Sequence, residues 1–375
     1  MTERRWIAGF RRWRDRLLSD PDFQRRSLRW AITRPIARRR MRALFDLCSG
    51  FVYSQTLLAC TRLGVINALA ESPRRATDLA ESLDLPRDSL ETLLEAAVSL
   101  RLVEKRGPQR FGLGPLGAAL RGNPAVAMMI EHHAGFYADL ADPVALLRGE
   151  VEATRLGRFW PYADRPEPKR LRAAETSPYT ELMAASQEMI AAQVLNAYPV
   201  RRHRSLLDVG GGSGAFAIAA LARAPRLRAE IFDLPAVAEQ AGARLREHGY
   251  DERARATGGD FAADDLPGGH DLITLVRVLH DQDDDQALTI LRAARRALAP
   301  GGVVLIAEPM LGTRGAEPVT AAYFGFYLMA MGQGRPRSPE RIQSMLESAG
   351  FTAFRRYRTD APLLARIITA RVKEA

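Results

Sequence analysis

Apolar positions recur every three or four residues through the first third of the chain. Trp6, Phe10, Trp13 and Leu17 share one side of a stretch otherwise rich in arginine, which predicts an amphipathic helix. The spacing continues through "ALFDLCSGFVYSQTLLACTRLGVINALA" and "ATDLAESLDLPRDSLETLLEAAVSLRLVEKRGPQRFGL". There Thr77 is placed to cap one helix and Pro86 separates it from the next. Residues 103–113 alternate around Gly107 and Pro108 as a small β-ribbon does. Helix, helix and ribbon predict a winged helix. Residues 121–200 are mainly helical, with a charged, proline-containing break at "ADRPEPKRLRAAETSP".

Beyond residue 200 the period changes. The runs "RSLLDVGG", "AEIFDLP", "RARATGGD", "DLITLVRVLH" and "GGVVLIAEP" read as short strands. Helical patterns at 215–224, 236–248 and 286–299 lie between them, so the expected fold class is α/β, a Rossmann-like doubly wound parallel sheet. "SPERIQSMLESAGF" adds a helix, and "TAFRRYRT" and "LLARIITARV" add two strands that close one edge. The expected organisation is a basic arm over 1–42, a winged-helix domain over 43–125, a helical connecting region over 126–200, and the sheet domain over 201–375.

Composition changes this picture only at the N-terminus. Residues 1–42 carry fourteen arginines against Glu3, Asp15, Asp20 and Asp22, which is the whole net charge of +10. Three readings of the arm stay open: attachment to an anionic membrane surface, nucleic-acid binding, and a helix that packs on its own protein or a partner subunit. The reading helix of the winged helix would span 87–100 and sets Asp88, Glu91 and Glu95 against Arg87 alone. Such a helix repels phosphate, so no nucleic acid is expected and a second subunit is the better partner. No apolar run suits a signal peptide or a membrane span, which points to the cytoplasm, with the arm able to hold the protein on the cytoplasmic face of a membrane. Cys48 and Cys60 are expected to be buried thiols, and no metal site is expected.

Chemistry concentrates at the carboxyl ends of the predicted strands. "LLDVGGGSG" lies at the first strand-to-helix turn, where glycines admit positive φ and helix N–H groups face a ligand. Gly210, Gly212 and Ala215 satisfy a relaxed dinucleotide fingerprint, while Asp208, Gly210, Gly212 and Gly214 satisfy the pattern of S-adenosylmethionine sites. Asp233, followed by Leu234 at the end of the second strand, suits the ribose of either cofactor. Asp260 breaks the tie: its carboxylate can accept from an adenine amino group while Phe261 stacks on the ring, the alternative being a simple helix cap. His280 ends the fourth strand, where a neutral imidazole can take a substrate proton. Glu308 ends the fifth and can orient that ring. An enzyme is therefore favoured over a DNA-binding or scaffold protein that kept the sheet.

In this order, "LLDVGGGSG", "FDLP", "GGDF", "VLHD" and "IAEPML" resemble the metal-independent O-methyltransferases of the plant caffeate and bacteriochlorophyll-pathway type, over roughly residues 45–375. "RPIARRRMRALFDLCSGFVYSQTLLACTRLG" and "GQGRPRS" are similar to the branch that methylates acyclic hydroxycarotenoids of the hydroxyneurosporene kind. The resemblance implies S-adenosyl-L-methionine as methyl donor, a homodimer, and direct displacement with His280 as general base. Gly210, Gly212 and Gly214 would receive the methionine end, Asp233 the ribose, and Asp260 with Phe261 the adenine. Met183, Tyr327, Met329 and Met331 would face a lipophilic substrate, with core packing the alternative for each methionine. Other apolar acceptors (phenols, polyketides, tetrapyrroles) stay open. A second glutamate of the family, in a "GGKERT"-like stretch, is replaced here by Pro336, which leaves Glu308 as the one implied partner of His280.

Overall fold

A computed structural model describes residues 5–160 and 186–372. The chain divides into two compact units, Met1–Asn123 and Pro124–Ala375.

In the first unit, α1 (Arg5–Ser19) meets α2 (Pro21–Arg29) at Asp20, whose carboxylate accepts from the Asp22 and Phe23 amides and so caps α2. The next helix, α3, runs unbroken from Arg34 to Arg62. The charge change at residue 42 therefore falls inside one helix, and the arm is not a separate element. This helix is also long and apolar enough, by length and composition, to cross a membrane. That corrects the expectation that no segment is: Asp46 and scattered Ser, Gln and Thr interrupt the apolar run without lowering its average enough. Leu44, Phe45, Leu47 and Phe51 stand exposed on it, and so does Cys48, which was expected to be buried. Cys60 is buried, and desolvation pushes its thiol up to about 11.

The winged helix follows. Helices α4 (Val65–Ala68), α5 (Ala76–Ser82) and α6 (Arg87–Ser99) precede the strands β2 (Val103–Lys105) and β3 (Arg110–Leu113), with β1 (Arg74–Arg75) on the free side of β3. Thr77 lies inside the first turn of α5 and donates to Asp78, while Arg75 holds the cap position without a side-chain bond. Leu79, Leu90, Leu94, Val103 and Phe111 form the core, and α7 (Pro115–Arg121) closes the unit.

The second unit opens with α8 (Pro124–Asp139), α9 (Pro143–Arg148), α10 (Arg155–Phe159) and α11 (186–197). Its sheet has the order β6-β5-β4-β7-β8-β10-β9. The strands are β4 (Ser205–Val209), β5 (Arg228–Asp233), β6 (Ala254–Gly258), β7 (His270–Val276), β8 (Leu298–Glu308), β9 (Thr352–Tyr357) and β10 (Arg366–Arg371). The first five run parallel, and β10 pairs antiparallel with both β8 and β9. The order turns outward from β4 in one direction and from β7 in the other, so the crevice beyond their carboxyl ends is where such a sheet takes ligands.

Alternation along the strands builds a core on each face. Leu206, Ile231, Leu272 and Leu305 pack with α11, α12 (Ala215–Arg223) and α13 (Pro235–Glu247). Leu207, Ile273, Val304 and Ile306 face the other way, against α14 (Asp284–Ala297) and α16 (Pro339–Ser348). Each fully buried leucine or isoleucine contributes about 1.5–3 kcal/mol, which makes the central strands a rigid platform for their ends. A π-helical turn, Pro318–Tyr323, runs directly into α15 (Phe324–Met331).

Candidate active site

The glycine loop joins β4 to α12. Gly210, Gly212 and Gly214 have φ of 65°, 56° and 82°. At Gly210 a Cβ would also stand 2.8 Å from Val278 Cγ2, so both the backbone angle and the space exclude a side chain there. Beside it lies Phe261, whose Cε1 is 3.5 Å from that same position. Around Gly212, by contrast, the space within 4 Å is open.

Beneath the loop sit two buried carboxyls. Asp208 Oδ1 accepts from Thr274 Oγ at 2.6 Å, while Oδ2 is buried without a hydrogen-bond partner and lies 2.8 Å from the ideal Cβ position of Gly211. Burial pushes this carboxyl up to about 7, against the pull of the Thr274 hydroxyl. Asp233 accepts from the Gly212 amide and the Leu234 amide, both at 2.8 Å. Desolvation raises it to about 6, with those two bonds opposing. Asp233 thus braces the loop as well as ending β5, and Leu234 is buried just after it. Asp260 Oδ1 accepts from the Ala262 amide at 2.8 Å, so the carboxylate does cap a turn, and its own amide donates to Asp264.

His280 is 3 % exposed. It does not end the fourth strand as expected: β7 stops at Val276, and His280 lies in a single 3-10 turn, Leu279–Asp281, just past it. Arg277, between strand and turn, holds φ of 58°, a left-handed value that costs a non-glycine residue roughly 1–3 kcal/mol and redirects the chain. The His280 amide donates to Glu308 Oε2 at 3.1 Å, and the ring Nδ1 stands 3.7 Å from the same oxygen. The other ring nitrogen, Nε2, is 2.8 Å from Asp281 Oδ1, without hydrogen-bond alignment. The imidazole therefore has a carboxylate at each nitrogen. Glu308 is fully buried: desolvation raises its carboxyl, while His280 and Arg337 draw it back down. Phe324 covers the ring at 5.8 Å between centroids.

The residues expected to face substrate are not gathered in one place. Tyr327 and Met331 are buried in a cluster with Phe136, Leu156 and Trp160. The Tyr327 hydroxyl is bonded to His132 Nε2 at 2.7 Å and accepts from Trp160 Nε1 at 3.3 Å. Met329 is 43 % exposed, away from that cluster, and Met183 lies outside the described residues. Desolvation lowers both His132, to about 4, and His133. Thr274, Asp281, Phe324 and Arg337 were not singled out from the sequence. Asp281 alone carried a local signal, as the residue after His280; the others reach the site through tertiary structure.

Compared with known proteins, the chain matches the model of an O-methyltransferase domain over residues 137–352 and that of an O-methyltransferase dimerisation domain over residues 45–122. It is 40 % identical over 362 residues to demethylspheroidene O-methyltransferase of Cereibacter sphaeroides, covering 95 % of this chain and 93 % of that protein. To the protein of the same name from Rhodobacter capsulatus it is 41 % identical over 338 residues, covering 89 % and 83 %. Among solved structures, human N-acetylserotonin methyltransferase in complex with SAM matches with a TM-score of 0.71 at 25 % identity, over 89 % of this chain and 98 % of that one.

Proposed function

The chain belongs to the S-adenosylmethionine-dependent O-methyltransferases, and from that membership we propose that its acceptor is the hydroxyl of an acyclic hydroxycarotenoid and its general base is His280. The observation that carries the base assignment is the buried imidazole in the turn beyond β7 with a carboxylate at each nitrogen. The carotenoid acceptor is supported by two relatives at 40 % and 41 % identity whose names specify demethylspheroidene.

The residues present fit the methyl donor. The glycine loop offers open space at Gly212, and Asp208 Oδ2 is a buried acceptor awaiting a donor. Asp233 and Asp260 would hold ribose and adenine, each through a carboxylate whose bonds to backbone amides already fix its direction. When bound, S-adenosylmethionine supplies a methyl already made electrophilic by its sulfonium.

The protein's own work is alignment, exclusion of water and removal of one proton. His280 takes that proton on its imidazole, while Glu308 on the Nδ1 side holds the ring and stabilises the charge it acquires. An aliphatic carotenoid alcohol is a much weaker acid than a phenol, so its proton leaves as the new O–C bond forms rather than before. Incubation with labelled S-adenosylmethionine and a panel of hydroxycarotenoids, phenols and quinones tests the assignment. Methylation of the hydroxycarotenoids alone or fastest is expected, and a phenol or quinone turned over orders of magnitude faster would overturn it.

The family's dimerisation domain supports a homodimer. We further propose that the arm holds the enzyme to anionic lipid at the cytoplasmic face of a membrane, since Trp6, Phe10 and Trp13 are all more than half exposed on a helix that also carries five arginines.

A further inference from the structure

Arg337 heads the largest fully buried side chains among the described residues, with 1 % of its side chain accessible. A guanidinium is rarely enclosed without a task, because its charge must be paired and its donors used. Here Nη1 donates to Leu279 O at 2.5 Å, Nη2 to Gln282 O at 2.7 Å, and Nε to Asp284 Oδ1 at 2.9 Å. The two carbonyls straddle the 3-10 turn that carries His280 and Asp281. Asp284, the first residue of α14, closes the ion pair.

The backbone around Arg337 completes the grip. The Arg335 amide donates to His280 O at 2.9 Å, and the Leu311 amide, three residues beyond Glu308, donates to Arg337 O at 2.9 Å. Gly334 runs so close to the turn that a Cβ there would fall 2.4 Å from His280 O. One short segment thus ties the base's turn to the exit of the strand that ends in Glu308. Pro336, at the position where a second glutamate was expected, has no carboxylate to offer. Asp281 instead approaches the second ring nitrogen, and the turn that sets its direction is the one Arg337 holds.

We propose that Arg337 is a positioning residue for proton removal: its buried fork fixes the 279–282 turn, so that His280 stands between Glu308 and Asp281. This rests on the reading of His280 as the base. Lysine at 337 keeps the charge, yet an ammonium cannot serve two carbonyls and a carboxylate in one plane. Loss of alignment at that level costs a factor of about ten to a hundred in rate.

The test is a double-mutant cycle of Arg337→Lys and His280→Ala on the full chain, with turnover read by labelled methyl transfer and folding read by calorimetric affinity for S-adenosylhomocysteine. In Arg337→Lys we expect cofactor affinity within about twofold of wild type, KM within about threefold and kcat at least about tenfold lower. In the His280→Ala background the same change should alter the residual rate less than about twofold, since the group it positions is gone. An Arg337→Lys protein with wild-type kcat, or one that loses the same factor in both backgrounds, overturns the proposal. If His280→Ala alone retains wild-type turnover, the base assignment fails, and the positioning role fails with it. Should Arg337→Lys not bind S-adenosylhomocysteine, Asp284→Asn loosens the fork from its 29 % exposed end and is read by the same cycle, with a loss of about three- to tenfold confined to the His280 background.

Discussion

At the scale of single residues, the site works by placing carboxylates where burial opposes their charge. His280→Ala should leave affinity for S-adenosylhomocysteine unchanged and lower kcat by about two to four decades, the usual worth of a positioned general base. Turnover at saturating substrate, measured beside calorimetric binding, decides it. Asp208 and Asp233 are raised from the ordinary 3.8 to about 7 and about 6. Each folded-state group therefore keeps a proton that the unfolded chain has already lost. Their contribution to stability is greatest at low pH and declines as pH rises through 6 and 7. A ligand that brings an ammonium and hydroxyl donors favours the charged carboxylates, so cofactor binding near pH 6.5 should release protons. Calorimetry of S-adenosylhomocysteine in buffers of differing ionisation enthalpy measures that release. Asp208→Asn should remove most of it, and an unchanged release would assign it to another group. Asp233 was legible as a strand-end acid nineteen residues past the glycine loop, but its bond to the Gly212 amide was not. Removing its carboxylate is consequently expected to loosen the loop as well as the ribose contact.

At the scale of elements, legibility followed the period of the sequence. The parallel strands and their helices could be read because alternation gives way to three-and-four spacing at each junction, and Glu308 could be read as a strand end; His280 was placed at the right sheet edge but on the strand itself, whereas β7 stops at Val276. Arg337, Thr274 and Phe324 could not, because their partners lie at 279–284, 208 and 280, far along the chain, and only the sheet order brings them together. Helix α3 was missed as one piece for another reason: its charge pattern changes at residue 42, but its backbone does not. The apolar face this continuity creates has a consequence. Leu44, Phe45, Leu47 and Phe51 are 65–81 % exposed, and the dimerisation-domain match begins at residue 45. A contiguous apolar face of this kind seeks cover, and an isologous second copy provides it. Leu47→Glu, at the most exposed of the four, should shift the protein from dimer to monomer in sedimentation velocity while its affinity for S-adenosylhomocysteine holds. A dimer of undiminished stability would place the interface elsewhere on the unit.

At the scale of the whole molecule, two tasks fall to different ends of the chain. The second unit contains the glycine loop, both buried aspartates and His280, whereas the net charge of +10 resides entirely in residues 1–42. An acceptor as apolar as a carotenoid is dissolved in lipid, so an enzyme gains by residing where that substrate is concentrated. The arm has what this requires: indoles at 6 and 13 and a phenyl ring at 10 to enter the headgroup region, with arginines to meet anionic lipid. Because α3 begins at Arg34, a cut at residue 42 would sever a helix whose remainder belongs to the winged-helix unit. Deleting residues 2–33 avoids that. The full chain should sediment with phosphatidylglycerol vesicles at low salt and be released as ionic strength rises, since the attraction acts over a Debye length of about 10 Å at 0.1 M. The shortened chain should stay in the supernatant, yet methylate a detergent-dispersed hydroxycarotenoid at close to the wild-type rate. Equal sedimentation of the two chains would sink the membrane reading. Loss of the dimer on truncation would instead make α1 and α2 packing elements of the N-terminal unit, with their arginines left as a solvated face.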